Sequence, residues 1–206
     1  IAGDIGRALG LPVPELVLLD LDPKFGRNEP HDEIRDLLNA SAGLNVGLDY
    51  LPGSITFDPL VPGALTSELA SRIVAFDALT LNVDRTAKNP NLLSWHKGVW
   101  LIDHGAAMYF HHGWANPEEA ARSPFAPIRQ HVLLPFAKEV EGVRFKLSAQ
   151  QLDAVLADVP DAWLENEPGF TSAADVRAAY RRFFELRLAN QALYLEEAAR
   201  ARAQLV

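Results

Sequence analysis

The chain has 206 residues, 49% of them hydrophobic, enough for one domain with a sizeable core or for a large lobe with a small one. Nineteen basic and 27 acidic residues give a formal charge of −8, a sign that repels phosphate backbones and disfavours direct nucleic-acid binding. The lack of cysteine excludes disulfides and thiolate metal sites; with no run of roughly 20 apolar residues and nothing near the start that reads as a secretory leader, a cytoplasmic protein off the membrane is expected.

In chain order, Ile1, Ile5, Ala8 and Leu9 recur at helical spacing, and Gly10 stops the helix. The chain opens at Ile1, without methionine and in mid-helix, so further residues are expected before it. Leu11 to Pro14 forms a turn, 15–21 is an apolar run of strand type, and a polar loop over 22–33 leads into a helix near 32–40. A second strand over 45–51 is stopped by Pro52-Gly53. Thr66 caps an amphipathic helix reaching Asn82, with Leu69, Ile73, Phe76 and Leu79 on its apolar face. Residues 84–90 are too polar to continue that pattern and form a loop. Strands over 91–95 and 99–103 flank a turn at Lys97-Gly98, which is a hairpin signal. Beyond residue 116 the pattern is helical: Asn116-Pro117-Glu118-Glu119 starts one helix, Ser148 with Gln151 boxes another running to about 159, and Ser172 with Asp175 opens a final helix reaching Leu205. The fold class is α+β: a small strand-containing start, a central loop and hairpin, then a helical remainder.

Three polar positions stand out: Asp84 and Asn89 on the loop, and Asp103 at the hairpin's end. With Trp95 facing Val99, Asn91 falls opposite Asp103, about 4.5–5.5 Å away as in any antiparallel pair. Asn89 is then expected beside Asp103, near enough to share a divalent cation. Mg²⁺ takes oxygen ligands and is typically held by one or two carboxylates with substrate phosphates. Phosphoryl transfer needs such ligands and a separate carboxylate to position the attacking hydroxyl. Asn89 and Asp103 suit the metal role and Asp84 the positioning role, while Arg85 and Lys88 supply positive charge for a phosphate or for orienting the loop.

Asp84-Arg85-Thr86-Ala87-Lys88-Asn89, followed by a hairpin ending in Leu101-Ile102-Asp103-His104-Gly105, resembles the catalytic loop and metal-binding motif of HipA-like and phosphoinositide kinases. As in those families, the Arg follows the first Asp, and the Asn stands five residues after that Asp. Residues 6–14 resemble the end of an N-lobe helix and the turn after it, and 46–51 resemble the last N-lobe strand and the hinge. The resemblance implies a protein-kinase-like fold of the HipA type, with a mostly helical C-lobe over 53–206 and a remnant of the N-lobe over 1–52. It further implies ATP and Mg²⁺ as cofactors, adenine held by the backbone of Leu48, Asp49, Tyr50 and Leu51, and a protein serine/threonine substrate. Thr86 stands where these families often have histidine, and His104 follows Asp103 where many kinases have phenylalanine. No glycine-rich loop or strand lysine precedes the hinge, so a preceding segment or a separate chain is expected to supply the rest of the N-lobe. The alternative reading is a pseudokinase or a nucleotide-binding regulatory module.

Other residues read as structural. Asp77 is expected to pair locally on its helix, with a role in orienting the catalytic loop as the lesser reading. Trp95 and Trp100 read as hairpin core. Arg177, Arg181, Arg182 and Arg187, interleaved with acids, read as a solvated helix face. His104, His111 and His112 lack the spacing of a zinc site.

Overall fold

The computed structural model describes residues 1–59, 61 and 65–205. Its regular elements are α1 (Ala2–Ala8), β1 (Leu16–Leu21), α2 (Asp32–Ala40), β2 (Gly43–Leu48), β3 (Ile55–Thr56) and α3 (Ser67–Thr80). There follow β4 (Leu92–Trp95), β5 (Gly98–Leu101), α4 (Pro117–Ala121), α5 (Ala149–Ala157), α6 (Ala173–Ala189) and α7 (Gln191–Ala203). The chain is α+β and falls into two units, Pro14–Pro52 and the remainder, Ile1–Val13 with Gly53–Val206.

In the smaller unit β1 and β2 pair antiparallel, with Leu16 opposite Leu48 and Leu21 opposite Gly43. Gly47 lets the Leu19 side chain lie close across the strand pair, since a Cβ there would come within 2.6 Å of Leu19 Cδ2 and push it aside. The Asp49 N–H donates to the Glu15 carbonyl at 2.8 Å and carries the ladder one residue past β2. Val17, Leu18 and Leu19 on β1 and Val46 on β2 are exposed, so successive side chains on both faces of this two-stranded sheet meet solvent.

The larger unit is built around α3. Thr66 caps it as expected, its hydroxyl accepting from the Leu69 N–H at 3.1 Å. From Ile73 to Thr80 every residue is buried, so the expected one-sided apolar stripe is in fact a helix enclosed all round. Residues 1–13 belong with this unit rather than with 14–52. The reason is packing: Ala2, Ile5, Leu11 and Val13 are buried, and a Cβ on Gly6 would meet Val13 Cγ2 at 3.0 Å and Phe76 Cζ at 3.2 Å. Arg72 also donates to the Leu9 carbonyl at 2.6 Å, and the Leu101 N–H donates to the Pro12 carbonyl at 2.8 Å.

The second sheet has the order β3-β4-β5, all antiparallel. Its hairpin is present, but the turn is His96-Lys97, one residue earlier than expected. Trp95 pairs with Gly98 and Leu92 with Leu101. His96 and Lys97 have φ of 48° and 64°. Positive φ at both central residues marks a type I′ turn, whose twist matches the flanking strands.

The expected single final helix is two helices. The break falls at Asn190, whose φ and ψ of −110° and 27° leave the helical range while its side chain donates to the Leu186 carbonyl at 2.7 Å. Arg181 and Arg182 lie on the solvated face, but Arg187 is fully buried. It donates to the Ala78 carbonyl of α3 at 2.7 Å and stacks 4.3 Å from the Tyr194 ring centroid, tying α6, α7 and α3 together. Burial lowers its guanidinium to about 10.

Candidate functional site

The loop after α3 is shaped by its own polar groups. Leu81 ends the helix in the left-handed region, with φ of 56°, and the Asn82 N–H returns to the Asp77 carbonyl at 2.9 Å. The Asn82 amide then works in two directions: Nδ2 donates to Asp77 Oδ1 at 3.0 Å, and Oδ1 accepts the Asp84 N–H at 3.2 Å. Further on, the Thr86 N–H donates to the Asn89 carbonyl at 3.0 Å and the Asn89 N–H to Thr86 Oγ1 at 3.3 Å. That closure brings Asp84 and Asn89 together. Asn89 Nδ2 donates to Asp84 Oδ2 at 2.7 Å, and Asn91 Nδ2 donates to the same oxygen at 3.2 Å. Asp84 is half-buried, and among the described residues nothing donates to its Oδ1.

Arg85 is turned inward and is 1% exposed, which rules out contact between its guanidinium and a bound phosphate. Its Nε meets Asp77 Oδ2 at 2.5 Å in an ion pair with both side chains wholly buried. Its Nη1 donates to the Asn91 carbonyl, just before β4, and to the Ile102 carbonyl, just after β5, the latter at 3.4 Å. One guanidinium therefore joins the loop to both ends of the hairpin, leaving orientation of the loop as the role its geometry supports.

Asp77 is the hub of this arrangement, so its pairing is not local. It sits at full burial in the middle of α3 and meets Asn82, Arg85 and His131 Nε2, the last at 2.8 Å. Burial alone would raise its carboxyl, but the Arg85 charge and the His131 hydrogen bond outweigh that and hold it well below the usual carboxylate range. Burial lowers His131 and keeps its ring neutral.

Asp103 follows β5 with φ of 49°, and its Oδ1 accepts the Gly105 N–H at 3.2 Å. The shifted hairpin register changes its neighbour. The Ile102 N–H, not that of Asp103, reaches the Asn91 carbonyl, at 3.1 Å, so Asp103 is one residue further along than expected. Among the described residues no hydrogen bond links Asp103 to Asp84 or Asn89; the two halves of the site share a frame through Arg85. Beneath it, His104 stands edge-on to Phe76 with ring centroids 5.7 Å apart, and burial followed by the Arg85 charge lowers its ring to about 4.

Lys88 is exposed on the loop. Leu48, Asp49, Tyr50 and Leu51 belong to the smaller unit: Leu48 ends β2, Tyr50 is 79% exposed and Leu51 is buried. Sequence reasoning missed Asn82, Asn91 and His131. Asn82 and Asn91 carried a signal, being amides flanking a loop that begins with a carboxylate. His131 carried none, because 54 residues separate it from Asp77.

Each half of the site keeps an oxygen of the kind a hard cation takes. Asn89 commits its amide nitrogen to Asp84 and keeps Oδ1 for a ligand, and Asp103 is an exposed carboxylate with one oxygen uncommitted. Among the described residues no three His, Asp or Glu side chains cluster as an all-protein metal cage. Mg²⁺ needs none, since one or two side chains and substrate phosphates complete its shell.

Comparison with curated proteins and with solved structures returned no match. A protein-family model described as HipA-like kinase matches residues 1–191. That match ends at the first residue of α7 and takes in Asp84, Asn89 and Asp103 with every contact that frames them. The chain belongs to the HipA-like kinase family, a family of kinase-type phosphotransferases.

Proposed function

We propose that the protein is an ATP- and Mg²⁺-dependent phosphotransferase with a kinase-like fold that modifies a serine or threonine hydroxyl of a protein substrate. The observation that carries this reading is the convergence on Asp84: two amides fix one of its carboxylate oxygens and leave the other for a hydroxyl. Bound Mg²⁺–ATP would supply the phosphoryl group and neutralise the charge developing on it. Asp84 Oδ1 orients the substrate hydroxyl and takes its proton as the oxygen attacks. Asn89 Oδ1 and the Asp103 carboxylate would hold the cation. Lys88, exposed on the same loop, neutralises charge on the transferred group. The backbone of Leu48 to Leu51 would receive adenine, which requires no particular side chain there. A protein substrate fits better than a lipid because no basic membrane-facing patch is evident in the sequence, and among the described residues no helix is long and apolar enough to cross a membrane.

Thermal melting of the full-length protein tests the nucleotide and metal parts of this reading. At a nucleotide concentration 100 times Kd, ATP with Mg²⁺ is expected to raise Tm by roughly 5–10 °C. The extra shift that Mg²⁺ adds over ATP alone is expected to vanish in Asn89→Ala/Asp103→Ala. A Mg²⁺-dependent shift of equal size in that double variant would remove both residues from the metal site.

A further inference from the structure

The segment around His131 lies along the back of the loop. Thr86 and His131 form an antiparallel bridge, and the Val132 N–H donates to the Arg85 carbonyl at 3.0 Å. The Leu133 N–H donates to His131 Nδ1 at 3.0 Å, so that nitrogen carries no proton. The proton of the neutral ring is therefore on Nε2, and it points at Asp77 Oδ2, 2.8 Å away. Arg85 Nε shares that oxygen, while Asn82 Nδ2 and Arg85 Nη2 meet Oδ1 at 3.0 and 3.4 Å. With donors on both oxygens, the Asp77 carboxylate has one orientation, and Arg85 inherits it. Remove the imidazole N–H and Oδ2 keeps only the guanidinium, so the carboxylate loses the one donor that does not come from α3's own loop and is held less firmly. The looser carboxylate in turn slackens the alignment of Arg85 Nη1 on the Asn91 and Ile102 carbonyls, the two points that join Asp84's loop to Asp103's strand end.

We propose that His131, as its Nε2–H tautomer, is a positioning residue for phosphoryl transfer, acting through Asp77 and Arg85 to hold the Asp84 loop in register with the end of β5. This rests on the function proposed above, although His131 itself touches neither substrate nor metal. Loss of a hydrogen bond that orients a working group typically costs roughly 10- to 100-fold in activity.

The test compares wild type, His131→Leu and His131→Gln in the full-length protein. Hydrogen exchange of the amides over 84–91 is the readout that does not depend on catalysis. His131→Leu is expected to accelerate exchange there while leaving the α6 and α7 amides unchanged. His131→Gln, which restores an N–H donor, is expected to recover most of the protection. With Mg²⁺–ATP, turnover in His131→Leu is expected to fall roughly 10- to 100-fold with KM within about threefold, and His131→Gln to regain most of it. The two-bond ¹H–¹⁵N spectrum of the wild-type ring is expected to show Nδ1 unprotonated. Unchanged exchange in folded His131→Leu, failure of His131→Gln to restore protection, or a protonated Nδ1 would each overturn the proposal. Should His131→Leu not fold, His131→Asn replaces it, because its shorter amide cannot reach Asp77 and the same loss is expected. A wild-type protein without turnover would count against the phosphotransferase reading alone, and exchange would still decide whether His131 holds the loop.

Discussion

A single carboxylate, Asp77, decides the shape of the loop that bears Asp84. Its ion pair with Arg85 is wholly buried, and removing one partner of such a pair leaves an uncompensated charge in the core. Asp77→Asn is therefore expected to cost about 3–5 kcal/mol of unfolding free energy, measured by urea titration at neutral pH. The same cluster sets a pH dependence. His131 is held neutral, its folded pKa lying below its unfolded one, so below about pH 6.5 the unfolded chain takes up a proton that the fold refuses. Stability should decline as pH falls from that point, by at most about 1.4 kcal/mol per pH unit for this ring, and the decline should be shallower in His131→Gln. Asp77 has the opposite relation to charge: its folded pKa is depressed, so its contribution is complete above about pH 4 and lost only below it. The carboxylate was visible in the sequence as the one acid within an apolar helical run. Its partners were only half visible, since an Arg eight residues on is within sight and a His 54 residues on is not.

Among the elements, the β4–β5 hairpin shows what alternation alone fails to fix. The two strands and the connection between them were legible from Leu, Val and Trp, but glycine drew the turn to Lys97-Gly98. The chain instead places His96 and Lys97 in the left-handed region, at a cost those side chains do not advertise. A one-residue shift flips every pairing, and it moved Asp103 away from the expected position opposite Asn91. Asn-Gly is the preferred type I′ pair, so His96→Asn/Lys97→Gly should raise unfolding free energy by about 1 kcal/mol. Urea denaturation checks this; a loss of stability would show that the turn is not of this type. Most capping signals fared better because they are local, although Asn116 makes no side-chain cap bond to α4. Thr66, Ser148 with Gln151, and Ser172 each accept the N–H expected of them. The β3 strand went unread, for two residues are too few to show a period.

At the scale of the whole chain, the two units are adjacent in sequence at Pro52-Gly53, residues poorly suited to continuing a strand. That residues 1–13 pack with the distant α3 was not legible, since it depends on Gly6 fitting against Phe76, a contact with no sequence signature. The family membership and the three polar residues were read from motif spacing, whereas the frame that holds them needed coordinates. Asp84, fixed by Asn89 and Asn91, carries the proposed role of orienting the hydroxyl that receives a phosphoryl group. The most direct test of that role is transfer of labelled phosphate from Mg²⁺–ATP to protein serine or threonine by the full-length enzyme and by Asp84→Ala. A fall of roughly 10²- to 10⁴-fold is expected in the variant with the fold intact by circular dichroism; an undiminished rate in folded Asp84→Ala would remove Asp84 from that role.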